Sequence, residues 1–417
     1  MAIIVQKYGG SSVGTLERIK HVANRVIEAR KLGHDVVVVV SAMQGETDRL
    51  IGLANNLSEN PTPREYDILV STGEQVSMSL LAMTLNDQGC PAKSYNGPQI
   101  GVETDNLHTN ARILKIDTNL IFQNFSDGNV VIVAGFQGKN EFGDTTTLGR
   151  GGSDTTAVAL AVALKANECQ IYTDVDGVFT TDPRVIPEAS MLSQISFEEM
   201  LEMASLGAKV LQMRAVEIAS KHSMPIRVLS TFTNNHPGTL VTFEDQIMQK
   251  RLVSGIAFNR EEAIITINDA PNKAGLEGYI LSLIGDADIE IDMIVQNATS
   301  KDASNFTFTL NRKDYTKALD IVEKLSKNLS AASIQSDKKV AKLSLIGTGM
   351  RSHTGVASKM FRVLGELDIN IKMITTSEIK ISVVIDEERL EDAIRAIHQT
   401  FELDKVPEEA NRAFLEL

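Results

Sequence analysis

Two glycine-rich segments each join a cationic side chain to a strand-to-helix handover. In the first, Lys7-Tyr8-Gly9-Gly10-Ser11-Ser12-Val13-Gly14, an apolar strand gives way to a helical pattern. Adjacent glycines let a backbone come close to an anion, and the helix start behind them offers unpaired N–H groups. Lys7 adds a mobile positive charge, so a phosphate is the natural guest. Taken alone, the Gly9-Gly10 pair reads more simply as a turn with a surface lysine. The second segment, Gly149-Arg150-Gly151-Gly152-Ser153-Asp154-Thr155-Thr156, runs directly into the apolar stretch Ala157–Leu164. Ser153, Asp154 or Thr155 can cap that helix, while Arg150 can grip a carboxylate by two parallel hydrogen bonds. Capping and anion binding are compatible. Two such junctions, one with Lys7 and one with Arg150 and Asp154, point to phosphoryl transfer.

Three further acids, Asp174, Asp176 and Asp182, lie in Tyr172-Thr173-Asp174-Val175-Asp176-Gly177-Val178-Phe179-Thr180-Thr181-Asp182-Pro183-Arg184. Asp-Gly and Asp-Pro are ordinary turn formers, so a hairpin rim with solvated carboxylates explains the segment equally well. Ser41 follows a run of five valines, and Glu74 stands in Thr72-Gly73-Glu74. Both sit where ligand-binding loops of open parallel sheets gather, though each alone reads as a cap or a solvated helix residue. Other phosphate chemistries drop out. No Gly-x4-Gly-Lys-Ser/Thr segment is present, which excludes P-loop enzymes, and no His-Arg-Asp or Asp-Phe-Gly segment, which excludes protein kinases. Gly347 and Gly349 lack the third glycine of a dinucleotide site. The seven histidines are scattered and no nucleophile elbow appears, so hydrolase and metalloprotease readings fail. Cys90 and Cys169 have no partners at metal-ligand spacing, and disulfide or zinc frameworks are poor readings.

The elements that must position these residues alternate. Ala2–Lys7 reads as a strand, Leu16–Lys31 as a helix with one apolar face, and Val36–Val40 as a strand covered on both sides. Further strands are expected at Val130–Ala134 and Gln170–Thr173, and helices at Asp67–Asn86, Asp154–Leu164 and Gly207–Lys221. This pattern predicts an α/β domain over residues 1–245, a mostly parallel sheet sandwiched by helices. An internal repeat follows. Asp288-Ile289-Glu290-Ile291-Asp292-Met293-Ile294 recurs as Asp368-Ile369-Asn370-Ile371-Lys372-Met373-Ile374. Each copy reads strand, helix, strand, strand, helix, a ferredoxin-like α+β unit. The expected division is a linker or joining strand at 246–263, one unit at 264–336 and another at 337–417. Two such units behind a catalytic domain suggest sensing more than chemistry.

Composition narrows the class. The chain has 417 residues and a formal net charge of −13, so it lacks the basic stripe that nucleic acid or an anionic membrane surface needs. No uninterrupted apolar run of about 18 residues occurs, and the N-terminus lacks a signal-peptide layout. The expectation is a soluble, cytoplasmic protein with no nucleic-acid or membrane partner.

Taken together, Lys7–Val13, Ser71-Thr72-Gly73-Glu74, Gly149–Thr156 and Tyr172–Arg184 resemble the monofunctional aspartate kinases. These are members of the amino acid kinase family that carry two C-terminal ACT regulatory units. Val295-Gln296-Asn297 and Gly349-Met350-Arg351-Ser352-His353 match the regulatory half, and the likeness runs from Lys7 to about Leu403. The resemblance implies an amino acid kinase fold and ATP-dependent phosphorylation of the β-carboxylate of L-aspartate. The product, 4-phospho-L-aspartate, leads toward lysine, threonine, methionine and diaminopimelate. It implies that Lys7 and Asp154 are catalytic, Lys7 contacting the transferred phosphoryl group and Asp154 organising the polar groups around it. Arg150 and Glu74 would hold the α-carboxylate and α-ammonium of aspartate, with Thr47, Gly151, Gly152 and Ser153 nearby. Lys7, Tyr8, Gly9, Gly10, Ser41, Thr173, Asp174, Phe179, Thr180, Thr181, Asp182, Pro183, Arg184 and Lys209 would line ATP. Mg2+ would ride on the nucleotide phosphates, with no metal held by protein side chains.

The residue types suit that chemistry. A carboxylate nucleophile is already ionised at pH 7 and needs no general base, so no catalytic His or Cys is required. By the same resemblance, lysine, threonine or both bind at the ACT units through Asp269, Asn272, Ala274, Asp292, Gln296, Asn370 and Ile371. The units pair into a homodimer or higher homo-oligomer. A module that only dimerises is the plainer alternative. Relatives usually carry Gly where Asn272 stands and Pro where Thr354 stands, which bears on which effector binds. Met248 is placed for an internal start that would make a short ACT-only subunit, although an ordinary linker methionine is the simpler reading. Kinases of the same fold acting on glutamate, acetylglutamate or UMP usually lack this combination of Arg150, Glu74 and an ACT pair. Lys7, Asp154, Asp174 and Lys209 together argue against a non-catalytic amino-acid sensor. A fusion with homoserine dehydrogenase is not expected, since the chain ends at Leu417.

Overall fold

Val36–Val40 are fully buried, as five successive β-branched side chains require: with no polar face to offer water, the strand needs cover on both sides. Their strand, Asp35–Val40, runs parallel to Ile3–Tyr8 on one side and Val130–Ala134 on the other. The computed structural model describes residues 2–206, 210–233, 236–247, 251–328 and 333–405; Lys209 and Met248 lie outside them. It places these strands in an eight-stranded sheet. From edge to edge the order is Gln194–Ser196, Thr239–Thr242, Ile226–Ser230, Glu168–Thr173, Ile3–Tyr8, Asp35–Val40, Val130–Ala134, Ala92–Tyr95. Its pairings are parallel except that of Ile226–Ser230 with Thr239–Thr242. This is the mostly parallel sheet that the alternating pattern predicts.

The helix Leu16–Lys31 starts where Thr15 accepts a hydrogen bond from the Arg18 N–H, and it buries Ile19, Val22, Ala23 and Val26. The stretch expected as one helix at Asp67–Asn86 is two, Pro63–Val70 and Thr72–Asp87, meeting at Ser71. Pro63 opens the first, where its missing N–H would have had no partner anyway. By length and composition the run Pro63–Asp87 could cross a membrane, but half of its apolar window is buried inside the unit. Asp67 and Glu74 are buried within it, and two such acids would be expensive in lipid. It is a core helix pair. A second, four-stranded sheet, ordered Ile113–Ile116, Val102–Thr104, Gln137–Lys139, Thr145–Thr147, was not expected. Strands of three or four residues are too short to show a period.

The chain divides into two compact units. The first takes Met1–Phe179, Met191–Ser205 and Lys209–Met248; the second takes Thr180–Ser190, Leu206–Ala208 and Gln249–Leu417. In the second unit both repeats have the expected order. Gly255–Pro271, Leu276–Gly285, Ile291–Ala298, Ala303–Asn311 and Tyr315–Asn328 make the first. Ser333–Ile346, Val356–Glu366, Met373–Thr376, Lys380–Asp386 and Leu390–Thr400 make the other. The strand Gly255–Pro271 begins inside the stretch read as a linker. It pairs antiparallel with Ser333–Ile346, from Gly255 opposite Ile346 to Asn268 opposite Ser333. That seam joins the repeats into one six-stranded sheet whose outer strands are Ile291–Ala298 and Met373–Thr376. Ile265, Phe306 and Phe308 are in the core of the first repeat, Leu343, Leu345 and Val383 in that of the second.

Candidate active site

Lys7 reaches the site from the strand Ile3–Tyr8, which ends against the first glycine pair. Its Nζ lies 2.7 Å from Asp154 Oδ1, and both side chains are only 12% exposed. A Cβ on Gly9 would stand 3.4 Å from that Nζ, so the glycine keeps the space beside the lysine open. Asp154 is in the first turn of the helix Gly152–Leu164. Its negative charge is thus held at the positive end of the helix dipole. Gly151 precedes this helix with φ of 68°, and a Cβ there would fall 2.1 Å from Gln212 Cγ, so no other residue fits. Gln212 Nε2 donates to the Arg150 carbonyl at 2.8 Å, fixing the turn that presents the exposed Arg150.

Glu74 lies in the first turn of Thr72–Asp87. Its Oε1 accepts the Ala42 N–H at 3.1 Å, tying the helix to the loop after the valine strand. Ser77 Oγ donates to the Ser41 carbonyl at 2.7 Å and reinforces the tie. Glu74 Oε2 is buried and has no hydrogen-bond partner among the described residues. Burial pushes the carboxyl up to about 7, against the pull of the Glu74 and Ala42 backbone N–H groups. An acid so placed accepts a cation readily.

These groups face one cavity of about 520 Å³. Its lining includes Lys7, Ser41, Thr47, Glu74, Arg150, Gly151, Gly152, Ser153 and Asp154. The structure thus brings together every residue expected to hold the amino acid. It also adds Ile51, Tyr66, Val70, Thr109, Phe136, Thr147 and Gly149, which carried no motif in the sequence. Several belong to the unexpected small sheet or its loops. Cationic, anionic and backbone groups converge here on a space suited to a small zwitterion beside a phosphate.

The residues expected at the nucleotide are treated unevenly. The Tyr8 ring is fully buried and stacked on Tyr172 at 4.6 Å, so only its main chain remains for a ligand. The Gly9 N–H points to the Tyr172 carbonyl at 3.4 Å. Gly10 is packed against the Ala42 carbonyl, 3.0 Å from where a Cβ would be. Thr173 Oγ1 donates to Asp174 Oδ1 at 3.0 Å. Phe179 falls in the first unit, whereas Thr180, Thr181, Asp182, Pro183 and Arg184 fall in the second. There, Thr180 Oγ1 is 3.0 Å from His398 Nε2. Arg184 holds the Asp182 carboxyl below its ordinary range through a 2.8 Å ion pair.

The expected effector residues divide between the repeats. Asp269 accepts from Thr299 Oγ1 at 3.2 Å, Asn272 Nδ2 donates to the Lys301 carbonyl at 3.4 Å, and Ala274 is exposed after them. Gln296 Nε2 donates to Glu277 Oε1 at 2.6 Å. Asp292 is ion-paired with Lys342. Asn370 and Ile371 precede the strand Met373–Thr376, the opposite outer strand of the sheet from the one carrying Asp292 and Gln296.

The chain matches the amino acid kinase family over residues 2–230 and the ACT domain over residues 343–401. It is 58% identical over 406 residues to the aspartokinase of Pseudomonas aeruginosa, covering 97% of this chain and 98% of that one. Two solved structures of Escherichia coli aspartokinase III are similar at 26% identity and a TM-score of 0.76. One, in complex with aspartate and ADP (R-state), covers 95% of this chain and 99% of its own. The other, in complex with lysine and aspartate (T-state), covers 96% and 99%.

Proposed function

Since the chain belongs to the amino acid kinase family, and within it to the aspartokinases, we propose that it transfers the γ-phosphoryl group of ATP to the β-carboxylate of L-aspartate. The observation that carries this reading is one cavity in which Lys7, Glu74, Arg150 and Asp154 converge while Glu74 Oε2 has no hydrogen-bond partner among the described residues. Glu74 takes the α-ammonium and Arg150 the α-carboxylate, which leaves the β-carboxylate toward Lys7. That carboxylate is ionised at neutral pH and attacks without a base. Its oxygen forms the new bond to the γ-phosphorus as the bond to the ADP oxygen breaks. The protein's task is to hold two anions together and offset the charge on the transferred group. Lys7 does so directly, Asp154 orients Lys7, and the N–H groups at the start of Gly152–Leu164 add their dipole.

Mg2+ supplies further charge neutralisation when bound with the nucleotide. Among the described residues no three His, Cys, Asp or Glu side chains form a metal cage; a cation carried on the phosphates fits the donor set better. The product, 4-phospho-L-aspartate, would feed lysine, threonine, methionine and diaminopimelate synthesis in the cytoplasm. Feedback inhibition by lysine, threonine or both acts at the ACT units. Asp292 and Gln296 on one outer strand and Asn370 and Ile371 just before the other can share a site if a second chain supplies the other edge, which supports a homodimer. A short ACT-only partner begun at Met248 remains a secondary element of this reading.

The test is ADP release by purified protein with ATP and Mg2+, given L-aspartate, L-glutamate, N-acetylglutamate or UMP in turn. Aspartate reactions are repeated with lysine, threonine and both. Turnover is expected with aspartate alone, inhibited by one or both effectors. Turnover with another acceptor instead overturns the substrate, and full activity at saturating effectors overturns the feedback role.

A further inference from the structure

The cavity has a buried acid behind it that neither touches the cavity nor belongs to any motif. Asp67, on the helix Pro63–Val70, is fully buried. Its carboxylate is saturated by donors from two segments distant in sequence. Thr147 Oγ1 donates to Oδ1 at 2.5 Å, and His108 Nδ1 donates to Oδ2 at 2.7 Å. The Thr109 N–H is shared between the two oxygens, at 3.1 and 3.0 Å. Thr109 and Thr147 both line the cavity.

Two observations tie this cluster to Arg150. Thr109 has φ of 67°, a left-handed conformation that a β-branched residue adopts only when its surroundings hold it there. The holding group is Asp67. Thr147, in turn, ends the strand Thr145–Thr147. Its carbonyl accepts the Ala111 N–H at 2.8 Å, and a Cβ on Gly149 would stand 3.3 Å from the Thr109 carbonyl oxygen, so the two backbones pass close together. The turn around Thr109 and the strand leading to Arg150 are therefore clamped together, with Asp67 as the shared anchor.

We propose that Asp67 is a positioning residue for the amino-acid substrate: through Thr109 and Thr147 it sets the wall of the cavity and the direction in which Arg150 meets the α-carboxylate. The proposal rests on the function given above. It differs from a generic role in stability because the clamp serves one substrate. Lys7 and Asp154 approach from other elements and do not bond to it.

Asp67→Asn tests the clamp with little change of volume. An amide must turn its NH2 group toward at least one donor, so the clamp opens. KM for aspartate is expected to rise about 10- to 100-fold, the effect of a misplaced binding group. KM for ATP should stay within about twofold and kcat within about threefold. Thr147→Val removes one donor and keeps the shape, with a smaller rise in the same constant, and carries the test alone if Asp67→Asn does not fold. In Arg150→Ala protein, Thr147→Val should add little further loss, since the group it helps to aim is gone. An unchanged KM for aspartate in the folded variants, or an equal rise in KM for ATP, overturns the proposal alone. Absence of aspartate turnover by the unaltered protein overturns the function itself, and the proposal with it.

Discussion

Glu74 in the kinase unit and Glu262 in the regulatory sheet share an unusual state but differ in company. Burial pushes each carboxyl up to about 7, and each leaves Oε2 without a hydrogen-bond partner among the described residues. Glu262 has Lys342 Nζ at 3.8 Å and accepts from Asn259 Nδ2 at 2.9 Å. Lys342 is itself buried and also paired with Asp292. Glu74 has only backbone N–H groups, its own and that of Ala42, and a cavity. A raised carboxyl is therefore no mark of function in itself. What separates the two is the source of the countercharge: the fold supplies it at Glu262, whereas at Glu74 it must come from outside.

The largest way to sharpen this contrast is to remove the cation proposed to work on the transferred group. Lys7→Ala should lower kcat several hundredfold or more, since one such contact is worth roughly 3–4 kcal/mol in the transition state. A loss confined to KM, read by steady-state kinetics, would contradict that role. Next comes Glu74→Gln, expected to raise KM for aspartate about 30- to 100-fold, the usual weight of a buried charge pair being a few kcal/mol. The pH dependence follows from the same group. The proposed pairing with the α-ammonium needs Glu74 ionised, so in the unaltered protein kcat/KM for aspartate should fall about tenfold per unit as pH drops below about 7. That limb should vanish in Glu74→Gln. The smallest effect belongs to Glu262→Gln. Burial leaves its acid only about half ionised near pH 7, and urea unfolding should shift by less than about 1 kcal/mol with KM for aspartate unmoved. A large change in aspartate binding there would break the comparison.

The glycine clusters were legible because their chemistry is local: Lys7 with Gly9, and Arg150 with Gly151 and Asp154, each fall within a few positions. The valine strand and the helix Leu16–Lys31 were legible for the same reason. The clamp around Asp67 was not. Its members come from a helix, a turn and a three-residue strand, and none is near another in sequence except His108 and Thr109. The break at Ser71 escaped because both flanking helices keep one continuous apolar pattern. Tyr8 illustrates the opposite limit: it stands inside the expected phosphate motif, yet its ring is committed to Tyr172 and the core. A motif fixes where the backbone goes and leaves open which way a side chain turns.

The seam between Gly255–Pro271 and Ser333–Ile346 has a kinetic side. It joins residues far apart in the chain, and such pairings form late, because the intervening loop must close before any ladder bond is gained. Until Ser333–Ile346 has left the ribosome, the seventeen-residue strand Gly255–Pro271 can pair only with Ala303–Asn311 and shows its other edge to the surroundings. An unpaired edge of that length is a template for sticking to other chains. The second repeat thus acts as the first one's cover during synthesis, whatever ligand the finished sheet goes on to bind.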